Sequence, residues 1–140
     1  MTTTKTLEEG LVAYLAAQAD IAALVGDRIR TGVARQNEQR PFLVVAPPVI
    51  EPIYSAAGGV GLAESRIEIH CEAASYAEAR TLAETVRKKF KDGFQGNLGG
   101  VEVRAIYATV RGNPPRVVSG DQEGFRSVTV ELQVFHEEPP

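Results

Sequence analysis

The alternation of polar and apolar positions is most regular from Leu62 to Phe90, where a strand pattern is followed by a helix pattern. Between Glu64 and Glu72 every second residue is charged or histidine, and the residues between them are small or apolar. This period of two is typical of a strand in a sheet with one polar and one apolar face. Ser75 then has the position of a helix N-cap, with Glu78 as its capping-box partner. The predicted helix gathers apolar residues on one face, namely Ala79, Leu82, Ala83, Val86 and Phe90.

Similar patterns predict the other main elements of the fold. A leucine-rich helix begins after Thr6, which has Glu9 as its capping-box partner, and Asp20 is expected to cap a further short turn that Gly26 ends. The apolar run 42–46 predicts a central strand, which Pro47-Pro48 ends because proline cannot donate to a ladder. Strands are also predicted at 101–111 and 126–135. In the first of these, alternation places four residues on one apolar face: Val101, Val103, Ala105 and Tyr107.

These elements predict an α+β fold in the order α-β-β-α-β-β. Its mainly antiparallel sheet has four strands, or slightly more, and two helices pack on one face. A chain of 140 residues has the size of a single domain, so residues 1–140 are expected to form one. Two regions rich in glycine and proline, 47–61 and 112–124, interrupt the pattern. Because the first region also contains Ile53, Tyr54 and Val60, it is predicted to be a hairpin arm or a partner-binding loop.

Composition narrows the classes of protein that fit. The net charge of -3 argues against a protein whose main task is to hold nucleic-acid backbone, because that task needs concentrated lysine and arginine. No apolar run approaches the roughly 20 residues of a membrane-spanning helix, and residues 1–10 lack the apolar core of a signal peptide. Cys71 is the single cysteine, which excludes an intramolecular disulfide and fits a reducing compartment. We expect a protein that acts where it is made, without a membrane.

The residue types that carry chemistry do not form a reactive group in this pattern. His70 and His136 are the two histidines, and a metal site needs three or four converging ligands. The alternation places His70 and Cys71 on opposite faces of one strand, so we expect Cys71 to be a buried structural thiol. The glycines at 58–61 lack the lysine of a phosphate-binding loop. No catalytic residue, cofactor or metal is predicted, and the chain is not expected to be an enzyme.

Five segments and the leucine-rich first helix carry a resemblance to a known family. The segments are Asp20 to Ile29, Arg40 to Val45, Arg66 to Cys71, Ser75 to Ala79, and Phe125 to Val134. In this order and spacing they resemble the tail terminator or tail completion proteins of long-tailed bacteriophages and of phage-derived gene transfer agents. The likeness covers most of the chain.

The resemblance implies a small α+β subunit that assembles as a ring, commonly hexameric, at the head-proximal end of the tail tube. The ring stops tube polymerisation and forms the surface that meets the head or its connector. The implied partners are copies of the chain, the tail tube protein and the head-tail connector proteins, and DNA passes through without sequence-specific binding. The implied location is the virion tail, after assembly in the bacterial cytoplasm.

The resemblance also suggests roles for the surfaces that the pattern leaves exposed. Glu64, Glu68 and Glu72 are candidates to face the channel, because an acidic or neutral lumen lets a duplex slide. The arm and the arginines around 112–124 offer candidate subunit or partner contacts, namely Ile53, Tyr54, Val60, Arg111 and Arg116.

Three alternatives stay open at the level of sequence. Head-to-tail joining proteins share much of the same pattern. A small ligand-binding or regulatory α+β module would instead use its sheet edges to oligomerise around a metabolite. An enzyme that uses Cys71 or His70 is the third alternative.

Overall fold

The computed structural model describes residues 6–33, 38–55, 58–91, 93–112 and 127–137, with the backbone alone for 54, 55, 58–60 and 112. The helices are α1 (Leu7–Ala16), α2 (Ala19–Val25) and α3 (Tyr76–Lys88). The strands are β1 (Ile29–Thr31), β2 (Phe42–Val45), β3 (Val49–Ser55), β4 (Gly58–Glu72), β5 (Gly96–Leu98), β6 (Val101–Gly112) and β7 (Ser127–Glu137). None of the described helices is long and apolar enough to cross a membrane.

The seven strands form one sheet in the order β1-β2-β4-β7-β6-β5, and β3 pairs with the first part of β4. The sheet is mixed, because β1 runs parallel to β2 while the other described pairs are antiparallel. It curls strongly into a half-barrel. Strands β2 and β3 follow one another along the same edge of β4, with Pro47-Pro48 between them.

The predicted four-stranded antiparallel sheet with two helices, in the order α-β-β-α-β-β, is therefore wrong. Strands β1 and β5 have three residues each, too few for a periodic pattern, and α2 has only seven. Strand β3 contains Pro52 and precedes a run of glycines, which left this region open between a hairpin arm and a partner-binding loop. Because β3 pairs only with β4 among the described strands, it tolerates a proline that a central strand would exclude.

The predicted helix caps of α1 and α3 are confirmed. The Ser75 hydroxyl accepts a hydrogen bond from the Glu78 amide at 3.2 Å, and the Thr6 hydroxyl accepts one from the Glu9 amide at the same distance. Gly26 ends α2 with a φ of 60°, as predicted. Asp20 does not cap that helix, which begins one residue earlier.

Asp20 instead joins α2 to the end of α3. Its carboxylate lies 2.5 Å from Lys89 Nζ. That hydrogen bond, together with the charge of Lys89 and the Ile21 amide, outweighs partial desolvation and holds the pKa of Asp20 below its ordinary value. The pair helps to fix α2 against α3.

The core lies between the helices and one face of the central strands. In β4 and β7, Ile67, Ile69 and Cys71 lie opposite Leu132, Val130 and Val128, and these six side chains are fully buried. The apolar faces of α1 and α3 complete this core, with Leu11, Leu15, Leu82 and Val86 fully or almost fully buried. The predicted apolar faces of β4 and α3 are confirmed.

A bulge in β6 reverses which residues face the core. The pairing with β7 shifts by one residue between Val103 and Ala105, which leaves Arg104 as the extra residue. Val103 and Ile106 are therefore both buried, whereas Tyr107 is 60% exposed. The prediction that Tyr107 shares the apolar face of Val103 is wrong, because it continued a single alternation through the bulge.

Helix α1 touches the β5–β6 turn through two glycines. A Cβ on Gly10 would lie 2.3 Å from the Gly99 amide nitrogen, and a Cβ on Gly99 would lie 2.2 Å from the Thr6 carbonyl oxygen. Gly99 also has a φ of 62°, which disfavours other residues. Both neighbouring atoms belong to the backbone, so α1 must move away if either glycine gains a side chain.

Gly10→Ala is expected to destabilise the fold by about 2 kcal/mol in denaturant unfolding, because relieving a backbone clash costs as much as overpacking a core. Helix propensity alone predicts the opposite sign, a gain of about 1 kcal/mol from glycine to alanine. Ala13→Gly on the exposed side of α1 is the matched control for propensity. A more stable Gly10→Ala variant would show that the two backbones are not in contact.

Cys71 is expected to be inert in the folded protein. It is fully buried, and desolvation, with a smaller effect of Glu72, raises the pKa of its thiol. Since the thiolate is the nucleophile, thiol labelling of the native chain should be orders of magnitude slower than labelling in denaturant. The native rate should also not level off as the pH passes the ordinary thiol pKa of about 8.5, because the buried thiol is still almost fully protonated there. An Ala23→Cys variant, exposed on α2, is the control that must label quickly, and equally fast labelling of Cys71 would contradict its burial.

Candidate interaction surfaces

Glu64, Glu68 and Glu72 lie on the face of β4 that points away from the helices. Their neighbours across the β4–β7 ladder are Phe135, Glu131 and Ser127, respectively. All three glutamates are half-buried. The next strand, β6, contributes Tyr107, Thr109 and Arg111 to the same side of the sheet. We call this side of β4, β7 and β6 the polar face.

Glu64 is held by two donors on the polar face. Gln133 Nε2 donates to Glu64 Oε1 at 2.7 Å, and Arg66 Nε donates to the same oxygen at 3.1 Å. These hydrogen bonds, with Gln133 the stronger, hold the pKa of the Glu64 carboxyl below its ordinary value. Glu64 therefore remains ionised when the pH falls to the range in which a free glutamate takes up a proton.

Arg111 connects the acidic residues of neighbouring strands. Its guanidinium lies 3.1 Å from Glu68 Oε1 and 3.8 Å from Glu131 Oε2. The sequence assigned Arg111 to a partner interface and Glu68 to a channel surface, and the structure brings the two together in one network. Because these groups are about half exposed, the pairs position the side chains and add little to stability.

His70 also belongs to the polar face and lies opposite Thr129. Its Nε2 is 3.4 Å from Glu68 Oε2, and its Nδ1 is 3.2 Å from Thr129 Oγ1. The described residues contain no group of three or more histidine, cysteine or acidic residues that could hold a metal ion, so His70 and Glu68 do not form part of a metal site there. Cys71 lies on the opposite side of β4, so His70 does not approach it.

An aromatic pair lies on the polar face beside the acidic residues. Tyr107 and Phe135 meet edge to face, with ring centroids 6.1 Å apart. Tyr107 also lines a shallow depression together with Arg66, Thr109, Glu131 and Gln133. Sequence reasoning missed Tyr107 as a surface residue because the bulge at Arg104 moves it to this face. The available signal is a change of phase in the sequence, because the apolar residues stand at odd positions up to Val103 and at even positions from Ile106 to Val110.

The second candidate surface is the arm, which we define as β3 and residues 58–66 of β4. Ile53 and Tyr54 lie in β3, and Val60 lies in the part of β4 that pairs with β3. Ile53 is half-buried, while Tyr54 and Val60 are placed by their backbone alone. The arm therefore brings three of the predicted interface residues together. Arg116 lies outside the described residues.

Two apolar residues of the arm are exposed. Val49 is 60% exposed and Ile50 is 55% exposed. Val49 lies opposite Arg66 and Ile50 opposite Ser65, so the two side chains point to different faces of the sheet. Within the described ranges, the outer edge of β3 has no strand paired to it. The arm thus presents apolar side chains on both faces and an open backbone edge.

Comparison with known proteins identifies the fold. A comparison with curated proteins gave no match. Among solved structures, the chain is similar to one in the virion of a native gene transfer agent particle. The two share 19% sequence identity with a TM-score of 0.59, over 95% of this chain and 93% of that chain. At this identity, the likeness shows a shared fold.

A family model gives the assignment that the fold alone does not. The model described as Tail completion protein gp17 matches residues 9–137, which include every strand described above and most of α1. The resemblance inferred from the sequence is therefore confirmed, and the chain belongs to the tail completion protein gp17 family.

Proposed function

We propose that this structural tail protein assembles as a ring, of six copies as in the expectation from sequence, at the head-proximal end of a tail tube. The ring ends tube polymerisation and presents the surface to which the head connector joins. Family membership supports a structural role in the virion tail. The proposed ring, its effect on tube polymerisation and its contact with the connector are argued from the surfaces of the chain itself.

The observation that carries the proposal is the arm. A ring of identical subunits needs two different surfaces on each copy, so that one subunit contacts the next head to tail. Strand β3 offers an open edge with exposed Val49 and Ile50, and the described part of the same chain does not cover it. Exposed apolar residues beside an open edge favour contact with another chain.

The polar face supports the second part of the proposal, a channel for DNA. We place Glu64, Glu68 and Glu72 on the channel wall, where their charge repels the phosphate backbone and keeps a passing duplex from binding. Arg66 and Arg111 lie between these acids but are paired with them. The cations of the wall are therefore neutralised by neighbouring acids. A duplex should slide past such a wall more easily than past an unpaired basic surface.

Removal of the arm tip tests ring formation. Deletion of residues 56–61 removes the part of β4 that precedes its pairing with β7, and leaves the ladder from Leu62 to Glu72 intact. Pro52 can still pair with Ala63 across a short connection. We expect the thermal unfolding of the subunit to change little, whereas ring assembly on purified tail tubes, followed by electron microscopy, should be lost.

Two results would count against this role of the arm. Loss of folding would show that the removed residues belong to the core. Normal rings on tube ends after the deletion would show that the tip makes no subunit contact. Tubes that keep the same length distribution with and without the wild-type protein, and that carry no cap, would contradict tube termination itself.

Neutralisation of the three glutamates tests the channel. In the combined variant Glu64→Gln, Glu68→Gln and Glu72→Gln, Arg66 loses Glu64, and Arg111 loses Glu68 and keeps only the longer contact with Glu131. Assembled rings should therefore bind linear duplex DNA at least about tenfold more tightly at low salt. The control removes the same number of charges away from the polar face, with Glu8→Gln, Glu9→Gln and Asp27→Asn.

The form of the DNA distinguishes a channel from an outer wall. A closed circular duplex cannot thread a ring that is already closed, so the triple variant should retain linear DNA and not circular DNA. Equal binding of both forms would place the three glutamates on the outside of the assembly.

A further inference from the structure

The sheet has a second open edge, which belongs to β6. Strand β5 pairs with β6 only from Val101 to Val103. Past the bulge at Arg104, β7 is the one described strand that pairs with β6, so no described strand lies along the outer side of residues 105–112. This stretch contains no proline. A long strand edge without proline is a template for pairing with another strand.

The two sides of this β6 edge differ in polarity. On the helix side, which is the face of the sheet that α1 and α3 cover, Ala108 and Val110 are half-buried at the margin of the core. On the polar face, Tyr107 and Thr109 are exposed. A strand that completes this edge must therefore bring apolar side chains to the helix side, whereas its other side can be mixed.

Strand β3 meets this requirement. Ile50 lies opposite the buried Ser65, which places it on the helix side, and it is 55% exposed. Val49 and Glu51 lie on the polar face. A β-branched side chain is a favourable cross-strand neighbour for an aromatic ring, so Val49 suits the side of the β6 edge on which Tyr107 lies. Both edges are thus apolar toward the helices and mixed toward the polar face.

The directions of the strands also agree. Strand β3 is antiparallel to β4, β4 to β7, and β7 to β6, so β3 and β6 of one copy run in opposite directions. If a second copy continues the sheet sideways, its β6 lies antiparallel beside β3 of the first copy, and both polar faces stay on one side. Within a single copy this pair cannot form, because β4 and β7 lie between β3 and β6, which are three strand spacings of about 4.8 Å apart.

We infer that β3 of one copy pairs antiparallel with residues 105–112 of β6 in a second copy of this chain, so that the sheets of neighbouring subunits join edge to edge. Ile50 then covers Ala108 or Val110 of the neighbour. The contact uses different surfaces on the two copies, and its repetition generates a ring when the rotation closes. The inference rests on the proposed ring and names the two edges that form its subunit contact.

Cysteine cross-linking tests both the pairing and its face. Ile50→Cys is combined with Ala108→Cys in one variant and with Val110→Cys in another, while wild-type Cys71 remains buried. Facing residues of paired strands bring their Cβ atoms close enough for a disulfide, so mild oxidation of assembled rings should give covalent oligomers up to the full ring in at least one variant. Ile50→Cys with Thr109→Cys is the control, because it places the two thiols on opposite faces and should give none.

A substitution in β3 provides a second readout. Ile50→Asp should raise the protein concentration needed for half-assembly on tail tubes by about tenfold or more, because the contact then buries a charge in place of an isoleucine. Since Ile50 is exposed in the subunit, thermal unfolding followed by circular dichroism should change little. Val33→Asp is the matched control, because Val33 is also an exposed aliphatic residue but lies outside both strands.

The outcomes separate this inference from the proposed function. Normal rings on tube ends, with no cross-link from position 50 to 108 or 110 and no effect of Ile50→Asp, would overturn the edge pairing and leave the proposed ring in place. Equally strong cross-linking between positions 50 and 109 would also overturn it, because the faces would then not match. Absence of rings for the wild-type protein on tail tubes would overturn the proposed function, and the edge pairing with it.

Discussion

The continuous pairing of β4 with β7 is the constraint on which the rest of the structure depends. The two strands pair without a register shift from Leu62 opposite Glu137 to Glu72 opposite Ser127. Because the side-chain period of a strand is two, this register decides that Ile67 and Ile69 enter the core while Glu64 and Glu68 do not. A slip of one residue would exchange these faces. The polar face, the core and the line along which the helices pack are thus consequences of one ladder.

The β4–β7 ladder extends beyond the apolar core, and the arm begins where the ladder leaves that core. Toward the arm, the inward positions of β4 and β7 change from aliphatic residues to Ser65 and His136. Both are buried, with 2.6 Å between Ser65 Oγ and His136 Nε2, and His136 Nδ1 donates to the Glu137 carbonyl at 2.8 Å. The pair is satisfied internally. Ile50 lies opposite Ser65 on the same face of the sheet and is exposed, so the apolar surface of the sheet continues past the helices that cover its centre.

Sequence reasoning succeeded where local patterns and tertiary packing agree. Ser75 caps α3 through the same hydroxyl that the pattern indicated, and the alternation of β4 is realised over its full pairing with β7. It failed at Tyr107, because it continued a single alternation through the bulge at Arg104. It left region 47–61 open between a hairpin arm and a loop, because Pro52 is compatible with a strand only where the edge is open. The candidate site was predicted in part. The pattern identified Glu64, Glu68 and Arg111 separately, but their union in one network requires the order β4-β7-β6, which a sequence pattern does not contain.

The central claim is that this family member closes the head-proximal end of a tail tube as a ring, with its polar face toward the channel. Electron cryomicroscopy of assembled tails tests it most directly, because the curled sheet and the long β4–β7 ladder are recognisable in density. The account predicts one ring of this fold at the head-proximal end, with Glu64, Glu68 and Glu72 along the lumen. Copies distributed along the tube or located at the opposite end, or a ring whose polar face points outward, would contradict it.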